Sequence, residues 1–132
     1  MQKIVVTCAL IKRCGYFLCA RRASGNHLAG YWEFPGGKLE ADESLFQCIE
    51  REISEELKCQ ITARKLFDTS VSHQKQKLIE LHAIECEIKS QEPKINGVDH
   101  DLLCWITPSN MQKLSFASAD IPFVKKLQVN AT

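Results

Sequence analysis

The chain has 132 residues, 45% of them hydrophobic and 25% charged, with 17 Lys and Arg against 16 Asp and Glu for a formal net charge of +1. That length and balance predict one soluble globular domain over residues 1–132, with a core large enough to need no disulfide staple. They exclude a basic surface for duplex nucleic acid and any stretch long enough to span a membrane, so a polyanionic ligand has to be met at a local site.

From the N-terminus, Ile4–Lys12 is rich in β-branched residues and predicts a strand. Its apolar run from Ile4 to Ile11 is too short for a signal peptide, and no small-residue cleavage site follows. Cys14-Gly15 predicts a turn and Tyr16–Arg21 a second strand, together a hairpin. Ser24-Gly25-Asn26 reads as a loop. Tyr31–Phe34 reads as a short aromatic strand that ends at Pro35-Gly36-Gly37.

The clearest helix runs from Ser44 to Leu57. Ser44 with Gln47 three residues on is a capping-box pattern, and Phe46, Ile49, Ile53 and Leu57 recur at helical spacing as its inward face. Ile61–Ser70 and Leu78–Glu87 predict a long pair of strands, with Leu81, Ala83 and Cys86 on the buried side. Loops follow at Glu92-Pro93 and Asn96-Gly97, then a strand over Leu102–Ile106. Pro108-Ser109-Asn110 opens a turn and a short helix through Leu114. Asp120 is placed to cap a last helix, with Pro122 in its first turn and Phe123, Val124 and Leu127 inside. The sum is a mixed α/β domain, a sheet with one helix on each side.

The seven cysteines are odd in number and no pair has C-x-x-C spacing. This argues against a disulfide framework or a zinc knuckle and for reduced thiols in the core of a cytoplasmic protein. His27, His73 and His82 have no metal-ligand spacing, although His27 sits in a loop near the phosphate site inferred below.

The chemistry concentrates between Gly37 and Leu57. Glu52, Glu55 and Glu56 stand at i, i+3 and i+4, so on a helix the three carboxylates share one face. Like charges held that close repel, and a hard cation such as Mg²⁺ relieves them through oxygen ligands. A bare acidic pair would more simply be a solvated helix face. Here Gly36-Gly37 precedes the helix, allowing close approach of backbone to a ligand, and Arg51 is placed to pair with Glu43 and pin the loop.

This segment resembles the box of the Nudix hydrolases, G-x5-E-x7-R-E-U-x-E-E-x-G-U with U a bulky aliphatic. Gly37, Glu43, Arg51, Glu52, Ile53, Glu55 and Glu56 all match it; Lys58 stands where the pattern has Gly, and Cys59 where it has an aliphatic. Losing that Gly costs up to about 1 kcal/mol of helix capping and leaves the carboxylates intact. The resemblance implies an α/β/α sandwich with a mixed sheet between helices, and hydrolysis of a nucleoside diphosphate linked to another group. It implies Glu52, Glu55 and Glu56 as metal ligands for Mg²⁺, with Mn²⁺ as a substitute, joined by the Gly36 carbonyl, with Glu43 and Arg51 bracing loop to helix.

Trp32-Glu33-Phe34-Pro35-Gly36-Gly37, Ala20-Arg21-Arg22 and Ala119-Asp120-Ile121-Pro122 resemble the MutT-like branch and, within it, the bacterial CTP pyrophosphohydrolases. Asp99-His100 before Trp105 mirrors an acidic-His pair there. The implied reaction is NTP plus water to NMP plus pyrophosphate on a small-molecule nucleotide, with no membrane or duplex partner, by a monomer or homodimer. Glu52 or Glu55 is the expected general base, with Asp99 as rival base and further metal ligand. Arg22 is either a phosphate clamp or a solvated strand-end arginine; Lys38 and Gly37 flank the same site; Phe34 or Trp32 stacks on the base or belongs to the core. Asp120 either reads the base or caps a helix. As an acceptor it suits guanine or 8-oxoguanine, whereas the family likeness points to CTP; reading cytosine requires a proton on Asp120 or on N3. Hydrolysis of 8-oxo-dGTP, of ADP-ribose or of a dinucleoside polyphosphate is the alternative within the fold. A non-catalytic base-reading module would lack the carboxylates that this chain keeps.

Overall fold

The computed structural model describes residues 1–131. Its centre is β1 (Gln2–Arg13), whose β-branched residues favour extended backbone. Cys14 and Gly15 then take positive φ of 51° and 83°, the sense of turn that matches the twist of a two-residue hairpin. The chain returns as β2 (Tyr16–Arg22), with Lys12 opposite Phe17.

β1 runs parallel to β6 (Lys77–Ser90) from Gln2↔Lys77 to Ile11↔Cys86, and β6 pairs antiparallel with β5 (Gln60–Gln74) at the sheet edge. The other side of β1 is shared. Its middle, Val6 to Cys8, pairs with β4 (Gly36–Lys38) and its last residues with β2. β2 in turn carries β3 (Trp32–Glu33) and β7 (His100–Ile106).

Alternation along β1 splits the core in two. Cys8 and Leu10 pack with Phe123, Val124 and Leu127 of α2 (Ile121–Asn130). Ala9 and Ile11 face the other way, onto Ile49, Ile53 and Leu57 of α1 (Leu45–Leu57). One helix therefore covers each face, the α/β/α arrangement expected. Ser44 caps α1 with both bonds of the capping box: its hydroxyl accepts from Gln47 N at 3.1 Å, and Gln47 Oε1 accepts from Ser44 N at 2.9 Å.

Three local expectations change. Phe46 is exposed, and Cys48 takes an inward place instead; the inner stripe runs Leu45, Ile49, Ile53, Leu57, and Phe46 stands one step off it. Gly36–Lys38 is a strand rather than loop, because Gly36 lets the chain lie against β1 where a Cβ would run into the Thr7 carbonyl. β5 and β6 also reach further than their apolar residues do, since Ser72–Gln74 pair through backbone bonds that side-chain patterning does not encode. No helix among the described residues is long and apolar enough to cross a membrane.

Candidate active site

The β4–α1 loop is tied to the helix by Arg51. Its Nε and Nη2 donate to the two Glu43 oxygens at 2.5 and 3.0 Å, and Nη2 also reaches the Lys38 carbonyl at 3.1 Å. Asp42 turns the loop through a positive φ of 65°, and Glu43 further accepts from Glu40 N at 3.0 Å. The Arg51 guanidinium, then this amide, hold the Glu43 carboxyl down at about 2. Below them the Cys48 thiol faces the Gly37 and Lys38 carbonyls.

The three box carboxylates are presented unequally. Glu52 lies against Gly37, where a Cβ would collide with its carboxylate, and receives Arg51 Nη1 at 2.9 Å. Glu55 is exposed and receives the same nitrogen at 3.3 Å. Glu56 is half-buried, and its Oε1 is buried with no hydrogen-bond partner among the described residues. Burial, then the negative charge of Glu52, with Asp99 and Glu33 behind it, pushes the Glu56 carboxyl up to about 9. Among the described residues no three acidic, His or Cys side chains converge into a closed metal cage; Arg51 bonds both Glu52 and Glu55. The donor set nevertheless fits a hard divalent cation. A buried, unpartnered Glu56 oxygen beside the Glu52 carboxylate is short of positive charge, and Mg²⁺ takes oxygen ligands from few carboxylates. Asp99 is exposed, on the loop before β7, and its Oδ2 accepts from Asn96 Nδ2 at 2.7 Å.

Beside β4 opens a cavity of about 290 Å³ lined by Arg22, Phe34, Gly36, Gly37, Lys38 and Asp120, with Val6, Ile79, Leu81 and Ala119 as apolar wall. Every residue expected at the substrate thus borders one space. Asp120 precedes α2 but does not cap it with its side chain. Its Oδ2 instead accepts from Phe34 N at 2.8 Å, which corrects the helix-cap alternative. Burial lifts its carboxyl to about 7. Phe34 is 2% exposed and stacks at a tilt on Phe116, centroids 5.4 Å apart, so most of its ring belongs to the core. Trp32 packs against the same cluster and lies outside the cavity lining; its backbone bonds Ser115 and Ala117.

Glu33 was not singled out from the sequence. Its Oε1 accepts from Arg22 Nη1 at 2.9 Å and its Oε2 faces His100 Nε2 at 2.8 Å. Arg22 also donates from Nε to the His27 carbonyl at 2.5 Å. The sequence signal for Glu33 was its place in the Trp32-Glu33-Phe34-Pro35-Gly36-Gly37 run, and it borders the same cavity. A roomier depression of about 650 Å³ at the C-terminal end of α1 is lined by Ser54, Lys58, Gln60, Gln91, Glu92 and Lys94; it holds none of the expected site residues and lies away from the chemistry.

Three comparisons bear on this geometry. The chain is 35% identical over 128 residues to the CTP pyrophosphohydrolase of Escherichia coli K12, covering 95% of this chain and 91% of that protein. It is 46% identical over 54 residues to the 8-oxo-dGTP diphosphatase of Proteus vulgaris, 41% of this chain and 47% of that one. It superposes with a TM-score of 0.78 and 31% identity on the MutT protein of methicillin-resistant Staphylococcus aureus 252, covering 98% and 99%. Sandwich, glycine approach and carboxylate helix define a pyrophosphohydrolase by class. The chain belongs to the Nudix family, its NUDIX domain match spanning residues 6–126, and it is MutT-like within that family.

Proposed function

We propose that this chain is a Mg²⁺-dependent nucleoside triphosphate pyrophosphohydrolase, converting NTP and water to NMP and pyrophosphate, with CTP, dCTP or modified pyrimidine nucleotides as substrates. The observation that carries the reading is one cavity bordered both by Gly37, against which the Glu52 carboxylate lies, and by Asp120, so that phosphate and base can be met in the same space.

Glu52, Glu55 and Glu56 would hold the cation, with the Gly36 carbonyl and Asp99 as further donors. When bound, it polarises the phosphoryl oxygens and lowers the pKa of water. Glu52 takes the proton of the attacking water: it abuts the cavity at Gly37, whereas Glu55 is exposed and Asp99 is bonded to Asn96. Arg51 and Glu43 keep loop and helix in register, and Arg22 and Lys38 face the phosphates.

The buried Asp120 supports a pyrimidine. With a carboxyl lifted to about 7, a large share is neutral at physiological pH and both donates and accepts, matching N3 and the N4 amino group of cytosine. The ionised form only accepts and suits N1–H and N2–H of guanine, so 8-oxo-dGTP is the second reading, favoured at higher pH. The free thiols support a reducing, cytoplasmic setting, with the chain acting as one domain. The deciding experiment is kcat/KM over a panel of normal, methylated and oxidised NTPs and dNTPs. Cytidine nucleotides at the head of the ranking are expected; a purine at least tenfold ahead of them would replace the first reading by the second.

A further inference from the structure

Arg22 is held in place by a chain of side chains that begins in the interior. β2 and β7 pair regularly until Arg21↔Leu102, then slip so that Arg22 lies opposite His100 and Asp101 is the extra residue. Arg21 pins that bulge with two hydrogen bonds to Asp101, at 2.8 and 3.1 Å. Bulges re-aim side chains next to sites, and this one brings His100 and Arg22 to the same carboxylate, that of Glu33.

His100 is 2% exposed and, with Nε2–H donating to Glu33, its Nδ1 is left buried and without a partner among the described residues. An unpaired buried acceptor costs free energy, and an apolar side chain of similar volume would avoid that cost. Packing alone therefore does not account for histidine here. The bond to Glu33 does: one Glu33 oxygen is fixed from the interior, which leaves the other set against Arg22 Nη1 at the cavity wall. Arg22 has five N–H donors in a rigid fork. One is used by Glu33 and one by the His27 carbonyl, and those of Nη2 make no hydrogen bond among the described residues.

We propose that His100 is a positioning residue for nucleotide binding, acting through Glu33 to hold the Arg22 guanidinium with its free N–H groups toward the triphosphate. This rests on the triphosphate reading above. Orientation set before binding removes the entropy of ordering a long side chain on the ligand, so its loss weakens phosphate binding more than it slows chemistry.

The test is a double-mutant cycle between His100 and Arg22, read as KM for the best nucleotide of the panel and as the Kd of inorganic tripolyphosphate. His100→Leu should raise both about tenfold and lower kcat much less. His100→Gln, which returns an N–H donor, should restore most of the loss. Glu33→Gln, which keeps the shape and removes the charge, should reproduce the His100→Leu effect should that variant fold poorly. In an Arg22→Ala background, His100→Leu should add less than twofold. An unmoved Kd and KM in both His100→Leu and Glu33→Gln would overturn the proposal, as would a full tenfold penalty persisting without Arg22. A wild type that hydrolyses no nucleotide would overturn the functional reading instead, and the tripolyphosphate arm would still decide the positioning role.

Discussion

Gly37 leaves the space that the Glu52 carboxylate fills: a Cβ there would stand 2.6 Å from Glu52 Oε1. The neighbouring Gly36 meets backbone instead, at the Thr7 carbonyl and the Cys8 Cα. The two glycines serve different ends, and alanine separates them. Gly36→Ala forces β4 off β1 and should lower stability by about 1–3 kcal/mol, the usual cost of overpacking. Gly37→Ala displaces only a side-chain end, so it should melt near wild type yet lose at least about tenfold in kcat. Thermal melts and turnover on the two variants check this; a cooler Gly37→Ala that keeps full turnover would reverse the assignment.

The Arg51–Glu43 clamp has a definite pH signature. The folded carboxyl is held at about 2 against an ordinary 4.5. Its stabilisation is present above 4.5 and is lost as pH falls through 2. Melting curves of wild type and Glu43→Gln should differ by a constant amount from pH 5 upward and converge in acid. A gap that stays constant down to about pH 2 would mean the clamp is not ionic.

Asp120 has the opposite sign. Burial raises its carboxyl from 3.8 to about 7, so the folded state binds the proton more tightly than the unfolded chain. That contribution is complete below 3.8 and is lost as pH rises through 7. Asp120→Asn should remove this slope from the stability profile. In the wild type the kcat/KM ratio of CTP to 8-oxo-dGTP should fall across pH 6 to 8, and in the variant it should be flat. Equal losses on every base would make Asp120 structural.

Lys58 ends α1 with φ 50° and ψ 41°, its N–H reaching the Ser54 carbonyl at 3.1 Å. A left-handed residue other than glycine carries strain of about 1 kcal/mol, partly offset by the unfolded-chain entropy glycine would add. Lys58→Gly should raise stability by about 0.5–1 kcal/mol and leave turnover as it is. Denaturant titration measures it, and a destabilised variant would show that Lys58 contributes contacts of its own.

The carboxylate helix was legible because its cap, its apolar spacing and its charges all agree on one helix from Ser44 to Leu57. The residues expected at the substrate were legible as neighbours because each belongs to a short motif, and they line one cavity. Glu33 was not, because its partners come from Arg22 and from His100 across a bulge, and no local pattern encodes that register. Phe46 misled because three-residue spacing to Ile49 is helical but lies off the stripe that meets the sheet. Strand β4 was hidden because glycines have low strand propensity, and the pairing depends on how closely they let β1 approach.

Phosphorus NMR of CTP turnover follows pyrophosphate release by the carboxylate helix itself. With Mg²⁺ the wild type should give CMP and pyrophosphate in equal amounts, EDTA should stop the reaction, and Glu55→Gln should abolish it while melting like the wild type. Formation of CDP and inorganic phosphate, or undiminished pyrophosphate release by a folded Glu55→Gln, would rule out pyrophosphohydrolysis by these carboxylates.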